Sequence, residues 1–146
     1  MQRNGIHHVT AISGPARRNL DFYARTLGLR LVKKTVNFDD PGTYHLYYGD
    51  ETGQPGTILT FFPWEHVAPG RLGVGQAETT LLRVPERAIG YWTHRLIEQS
   101  VPHEAASARF GETVLAFQDR DGMRLALVAV PGAEDEPGWS DGAVPA

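Results

Sequence analysis

Gly5-Ile6-His7-His8-Val9-Thr10 opens the chain, and a run ending in Leu27-Gly28-Leu29 follows it. The first stretch reads as a strand over residues 6–12, carrying two adjacent histidines. Pro15 suits a first helical turn and Gly28 the position just past a helix end, which predicts a helix over residues 15–27. Ala16, Leu20, Tyr23 and Leu27 share one face of it at helical spacing, while Arg17, Arg18, Asp21 and Arg25 point elsewhere.

Three strands are predicted next, over residues 30–38, 44–48 and 57–62. Asp39-Asp40-Pro41-Gly42 and the run from Asp50 to Gly56 supply the turns between them. The same order then recurs. A strand over 78–84 precedes a helix over 85–99, whose apolar stripe is Ile89, Trp92 and Leu96 and which Pro102 bars from continuing. Strands over 105–110, 113–118 and 123–130 follow, the last hairpin turning at Asp119-Arg120-Asp121-Gly122. Pro15 and Pro85 start equivalent helices, an offset of 70 residues, too long for a solenoid unit. The order βαβββ–βαβββ predicts an α+β fold, with two repeats forming one curved, cupped mixed sheet and helices outside. The module spans residues 1–130, with repeat one at 1–68 and repeat two at 76–130. Between them, Pro69-Gly70-Arg71-Leu72-Gly73-Val74-Gly75 lacks phosphate-loop spacing and its lysine, and reads as a linker. Residues 131–146, mostly Pro, Gly, Asp and Glu, read as a linker-like tail.

Bulk properties exclude several classes. At 146 residues the chain is sized for one domain. A net charge of -3, with arginines scattered apart from Arg17-Arg18, gives no reason to expect nucleic acid or an anionic membrane as partner. The absence of cysteine removes disulfides, thiolate catalysis, zinc–thiolate sites and iron–sulfur clusters. No apolar run approaches the ~20 residues of a membrane helix, and Met-Gln-Arg-Asn-Gly has no signal-type core. A cytoplasmic protein is the expectation.

The repeated order, the Ile-His-His-Val-Thr opening, the Phe22-Tyr23…Leu27-Gly28-Leu29 helix end and the Asp-x-Asp-Gly turn resemble the vicinal-oxygen-chelate superfamily. That group holds glyoxalase I, bleomycin-resistance proteins and extradiol ring-cleaving dioxygenases. A narrower resemblance rests on Leu31-Val32-Lys33-Lys34-Thr35-Val36-Asn37-Phe38-Asp39-Asp40, on Tyr44-His45-Leu46-Tyr47-Tyr48, on Pro55-Gly56-Thr57 and on Phe61-Phe62-Pro63-Trp64. These runs look like the N-terminal module of hydroquinone-type ring-cleaving dioxygenases, which carry two such modules in tandem. The tail then lies where an inter-module linker would begin.

The resemblance implies roles for particular residues. His8 matches the histidine that binds iron(II) or manganese(II), with a further histidine and a glutamate expected from outside this chain to complete a 2-His-1-carboxylate site. By spacing alone, a strand histidine bonded to backbone is the commoner case. His7, on the opposite face of a regular strand, is implied as an acid–base group beside the substrate, and reads equally as a half-exposed strand residue. Thr10 shares the face of His8. His45, Tyr47, Thr60 and Phe62 alternate on neighbouring strands, as a pocket for an aromatic ring or as ordinary sheet packing. Related modules commonly carry glutamate where Ala126 stands, and in the second half only Glu78 offers itself as a ligand. Trp64, His66, His94 and His103 are assigned no role.

Gly-x-Ser-x-Gly, His-Glu-x-x-His and P-loop motifs are all absent. The expectation is therefore the N-terminal module of a metal-dependent extradiol dioxygenase opening a hydroquinone- or catechol-type ring. Its partners would be a small aromatic substrate, dioxygen, and a second module or partner chain, a homodimer being compatible. The alternatives are a metal-free small-molecule binding protein of bleomycin-resistance type, which Ala126 favours, or a glyoxalase-type isomerase or lyase.

Overall fold

The computed structural model describes residues 5–66, 68–71, 73–136 and 138–145. In chain order its elements are β1 (His8–Ser13), α1 (Ala16–Leu20) running on as a π-helical turn (Asp21–Thr26), β2 (Arg30–Val36), β3 (Tyr44–Gly49) and β4 (Ile58–Pro63). Then come β5 (Thr80–Pro85), a 3₁₀ turn (Glu86–Ala88) leading into α2 (Ile89–Glu98), β6 (Ser107–Arg109), β7 (Glu112–Gln118), β8 (Arg124–Val130) and a last 3₁₀ turn (Ala133–Asp135). The βαβββ order expected from the sequence occurs twice. Each copy closes its own four-stranded mixed sheet, in the orders β1-β4-β3-β2 and β5-β8-β7-β6. Within each sheet the first strand runs parallel to the fourth, and the remaining neighbours are antiparallel. The chain divides into two compact units, residues 69–137 forming the second and the rest the first.

In the first unit, the period of two puts Val9, Ala11 and Ser13 of β1 inward and His8, Thr10 and Ile12 outward. The inward side belongs to a core of Leu46, Tyr48, Leu59 and Phe61 together with Phe22, Tyr23 and Leu27 of the helical segment. Tyr23 anchors it, its ring centre 4.5 Å from that of Phe61 and 5.3 Å from that of Tyr48. The helix face differs from the expected one. Leu20 sits at the rim, 36% exposed, while Asn19 and Phe22 are buried. The cause is the π turn, in which Leu27 N donates to Phe22 O, five residues back. The wider turn rotates the following residues relative to a regular helix. The buried Asn19 is only half satisfied: its Oδ1 accepts the Tyr48 hydroxyl at 2.8 Å, while its Nδ2 has no partner among the described residues. In the second unit, α2 buries Trp92 and Leu96 as its stripe predicts.

Residues 138–145 belong to the first unit, so the expected linker-like stretch folds back there in part. Val144 is buried, and the Arg30 guanidinium lies 5.5 Å from the Trp139 ring centre. Gly28 makes room for this return. Its φ is +71°, and a Cβ there would come within 2.6 Å of the Val144 Cβ. Glu136 is fixed separately by Arg83 at 2.8 Å in the second unit.

Gly28→Ala is therefore expected to lower the free energy of urea unfolding by about 1–3 kcal/mol, the cost of a left-handed non-glycine residue. Adding Val144→Gly, which removes the Cβ that the new methyl would meet, should recover the part of that loss due to the clash. A double-mutant cycle reads both, and simple additivity would show that the two side chains do not meet.

Candidate functional site

The register of the first sheet collects the sequence-predicted residues on its outward face. Thr10 and Tyr47 both pair with Thr60 across the two sides of β4, Ile12 pairs with Phe62, and His45 pairs with Thr35. Directly paired residues present their side chains to the same face. A bulge in β2 between Leu31 and Lys33 inserts Val32 as an extra residue, so that Lys33 stands opposite Tyr47. The Lys33 ammonium lies 5.7 Å from the Tyr47 ring centre. Strand alternation alone does not reveal this lysine, because the bulge resets the period.

His45 is the centre of the cluster. Its Nε2 is 3.0 Å from Thr60 Oγ1, and the Tyr47 hydroxyl is 2.8 Å from its Nδ1. Its ring stacks on Phe62 with centres 4.0 Å apart and leans on Tyr47 at 4.1 Å. Thr60 is wholly buried and donates to Thr10 Oγ1 at 2.8 Å. The four side chains thus form one continuous row, Tyr47–His45–Thr60–Thr10, with both imidazole nitrogens engaged. Burial lowers the pKa of His45 below the usual imidazole value, and the charges of His8 and Lys33 act in the same direction.

His7 and His8 lie at the start of β1, both exposed. Their Nδ1 atoms are 3.0 Å apart and their rings meet edge to face. This corrects the expectation that His7 points away from His8. Regular alternation begins only at His8, the first paired residue, and His7 precedes it. The His7 backbone is held instead by a turn, Gly56 N donating to its carbonyl at 2.7 Å. Asp50 organises that turn by accepting the amides of Thr52, Gly53 and Gln54 at 3.1, 2.6 and 3.1 Å. Burial would raise the Asp50 carboxyl, but the amides of Gln54, Gly53 and Thr52 and the Thr57 hydroxyl outweigh it and hold the pKa low.

Among its described residues the second unit supplies no ligand cluster of its own. Ala126 is buried beside Val114 and Val128, and Glu78 is paired with Arg124. Of the unassigned histidines, His103 Nδ1 bonds the Val101 carbonyl at 2.9 Å and His94 pairs with Glu98 at 3.5 Å. Among the described residues no three His, Asp or Glu side chains converge as metal ligands. One His8 ring nitrogen faces His7, and the other makes no hydrogen bond among the described residues, which leaves His8 able to offer one ligand nitrogen but not a whole site. No helix among the described residues is long and apolar enough to cross a membrane.

Paired βαβββ units with a histidine-bearing first strand define a class of protein, and comparison with known proteins gives it a name. The model of the Glyoxalase/Bleomycin resistance protein/Dioxygenase superfamily matches residues 5–127, and the chain belongs to that superfamily. It is 54% identical over 124 residues to MhqO of Bacillus subtilis strain 168, which carries the name of a ring-cleaving dioxygenase; the match covers 85% of this chain and 39% of MhqO. It is 38% identical over 119 residues to a chlorohydroquinone/hydroquinone 1,2-dioxygenase of Sphingobium indicum, covering 80% of this chain and 37% of that one. A crystal structure named for a dioxygenase from Bacillus subtilis superposes with a TM-score of 0.83 at 53% identity, over 86% of this chain and 40% of the other. The chain therefore spans about two-fifths of the length of these relatives.

Two measurements check the row on β3 and β4. NMR titration should show the His45 ring half-protonated below the ordinary pH of about 6.5. A folded pKa below the unfolded one means that His45 contributes stability above pH ~6.5, lost as pH falls through the folded value. Thr60→Val leaves His45 Nε2 without its partner, and should cost about 1–3 kcal/mol of unfolding free energy. A valine variant as stable as the parent would show that the bond contributes nothing.

Proposed function

We propose that the chain is the N-terminal module of an extradiol dioxygenase that opens a hydroquinone- or catechol-type ring and depends on iron(II) or manganese(II). The observation that carries this reading is the His7–His8 pair at the edge of β1, in a chain 38–54% identical to proteins named as dioxygenases. When neutral, one Nδ1 of the pair holds the proton and the other accepts it. With the proton on His8, its Nε2 keeps a bare lone pair, the form in which imidazole ligates a metal, and His7 acts as the orienting partner such ligands have.

A divalent metal, when bound, would supply open coordination positions for substrate oxygens and dioxygen. This chain's own contribution lies around that centre. His8 offers one ligand nitrogen, and His7 stands within one hydrogen bond of it as the acid–base group. Thr10, two residues along β1 on the same face, offers a hydroxyl to a substrate oxygen. His45, Tyr47 and Phe62, with Thr60 buried behind them, form an aromatic wall with polar edges, of the kind a phenolic ring favours. The other ligands come from a second module or partner chain, since Glu78 is engaged with Arg124 and Ala126 carries no donor.

Oxygen uptake decides the matter. The full-length protein containing this module, reconstituted with iron(II), is expected to consume dioxygen on at least one hydroquinone or catechol. His8→Ala should abolish uptake, while His7→Ala should lower metal affinity or rate by roughly 10–100-fold, as loss of an orienting partner does. The 146-residue chain alone should retain metal weakly or substoichiometrically. No uptake on any such ring would falsify the reading.

A further inference from the structure

Thr60 has no access to water, so its hydroxyl must place its proton among its neighbours. It gives that proton to Thr10 Oγ1 at 2.8 Å. A hydroxyl has only one proton, so in the 3.0 Å contact with His45 Nε2 it must accept. Nε2 therefore carries a hydrogen. Nδ1 of the neutral ring is then bare, and the Tyr47 hydroxyl at 2.8 Å is its donor. Every bond in the row runs one way, from Tyr47 to Thr10.

The reverse direction is the less favourable set, because turning one bond turns them all. It would make an aliphatic hydroxyl the donor to imidazole and leave the phenol as an acceptor. A phenol is the stronger acid, with a pKa of about 10, and it is the better donor to an sp² nitrogen. The aromatic stack keeps His45 in place for this, with Phe62 on one side and Tyr47 on the other. Burial and the nearby Lys33 ammonium oppose a second proton on the ring.

We propose that Tyr47 and His45 are positioning residues that fix the direction of this row, so that Thr10 presents its hydroxyl proton outward beside His8. Thr10 Oγ1 already accepts from Thr60, and its own proton is left for whatever occupies the exposed face of β1. The ligand chemistry favoured is an oxygen acceptor, above all a phenolate oxygen, which takes the proton that a reversed row would direct inward to Thr60. The identity of that ligand as an aromatic diol rests on the dioxygenase reading, whereas the direction of the row does not.

The test reads tautomers first. In the ¹⁵N-labelled chain near pH 7.5, ring-nitrogen correlation spectra should show His45 with Nε2 protonated and Nδ1 bare. Tyr47→Phe should mix the two tautomers, which loss of packing alone would not do. The opposite tautomer, or an unchanged one in the Tyr47→Phe variant, overturns the proposal. Binding is read second, with 4-nitrocatechol as the probe and the full-length, metal-loaded protein. Thr10→Val should weaken it by about tenfold, the loss of one hydrogen bond to a charged oxygen, and Thr10→Ser should restore it. Equal affinity of the valine variant overturns the outward donor. Absence of binding by the parent, with His45 in the expected tautomer, would sink the dioxygenase reading and leave the fixed direction supported.

Discussion

The parallel pairing of β1 with β4 is the constraint on which the first unit depends. Two parallel neighbours cannot be joined by a tight turn, so the chain must leave the sheet and return. The helical segment and the β2–β3 hairpin fill that excursion, and the helix covers the inward face on the way. The same pairing sets Thr10 against Thr60 and Ile12 against Phe62. Because β4 is central, Thr60 also faces Tyr47 on its other side. A single residue thus receives side chains from both flanking strands and is sealed from water by them. The polar row is a product of strand order before it is a product of chemistry.

What the sequence made legible follows from periods. Alternation along β3 and β4 put His45, Tyr47, Thr60 and Phe62 on one face, and along β1 put Thr10 with His8; the register then sets Thr10 beside Thr60, since a period of two survives wherever strands are regular. The stripe of α2 was equally plain. Features that break a period were not legible. The π turn moved Asn19 inward and Leu20 outward. The bulge at Val32 brought Lys33 opposite Tyr47. His7 escaped alternation by standing one residue before the first paired position. Likewise, composition marked the tail as a linker, yet Val144 is buried against a glycine chosen for a different reason, the end of a helix. Composition records average solvation and is blind to one apolar residue meeting one gap.

The turn from Asp50 to Gly56 links these local irregularities to the site. One carboxylate collects three consecutive amides, which closes the loop between β3 and β4. The amide of Gly56 is then free to reach the His7 carbonyl. His7 is therefore positioned from outside its own strand. An exposed residue without a ladder partner ordinarily frays; here a loop ordered by a depressed carboxyl supplies the partner. The geometry of the histidine pair consequently depends on Asp50 remaining ionised, which the amides it accepts favour by holding its pKa low.

The two units show how one topology can be turned to different ends. In the second sheet, Ala126 on the central strand β8 lies between Leu81 and Ala116, as Thr60 lies between Thr10 and Tyr47 in the first. The hydroxyl, imidazole and phenol of one unit are matched by Ala126, Val114 and Ala116 in the other, and these join Val128 in an apolar cluster. Backbone pairing is preserved while the face changes from a directed polar row to a hydrocarbon surface. The polar version carries a heavier requirement, because every buried donor must find an acceptor and one missing hydroxyl orphans its neighbours. A face that serves only for packing has no need of that requirement. Its presence in the first unit alone, next to the two histidines, is the physical reason to look for chemistry there.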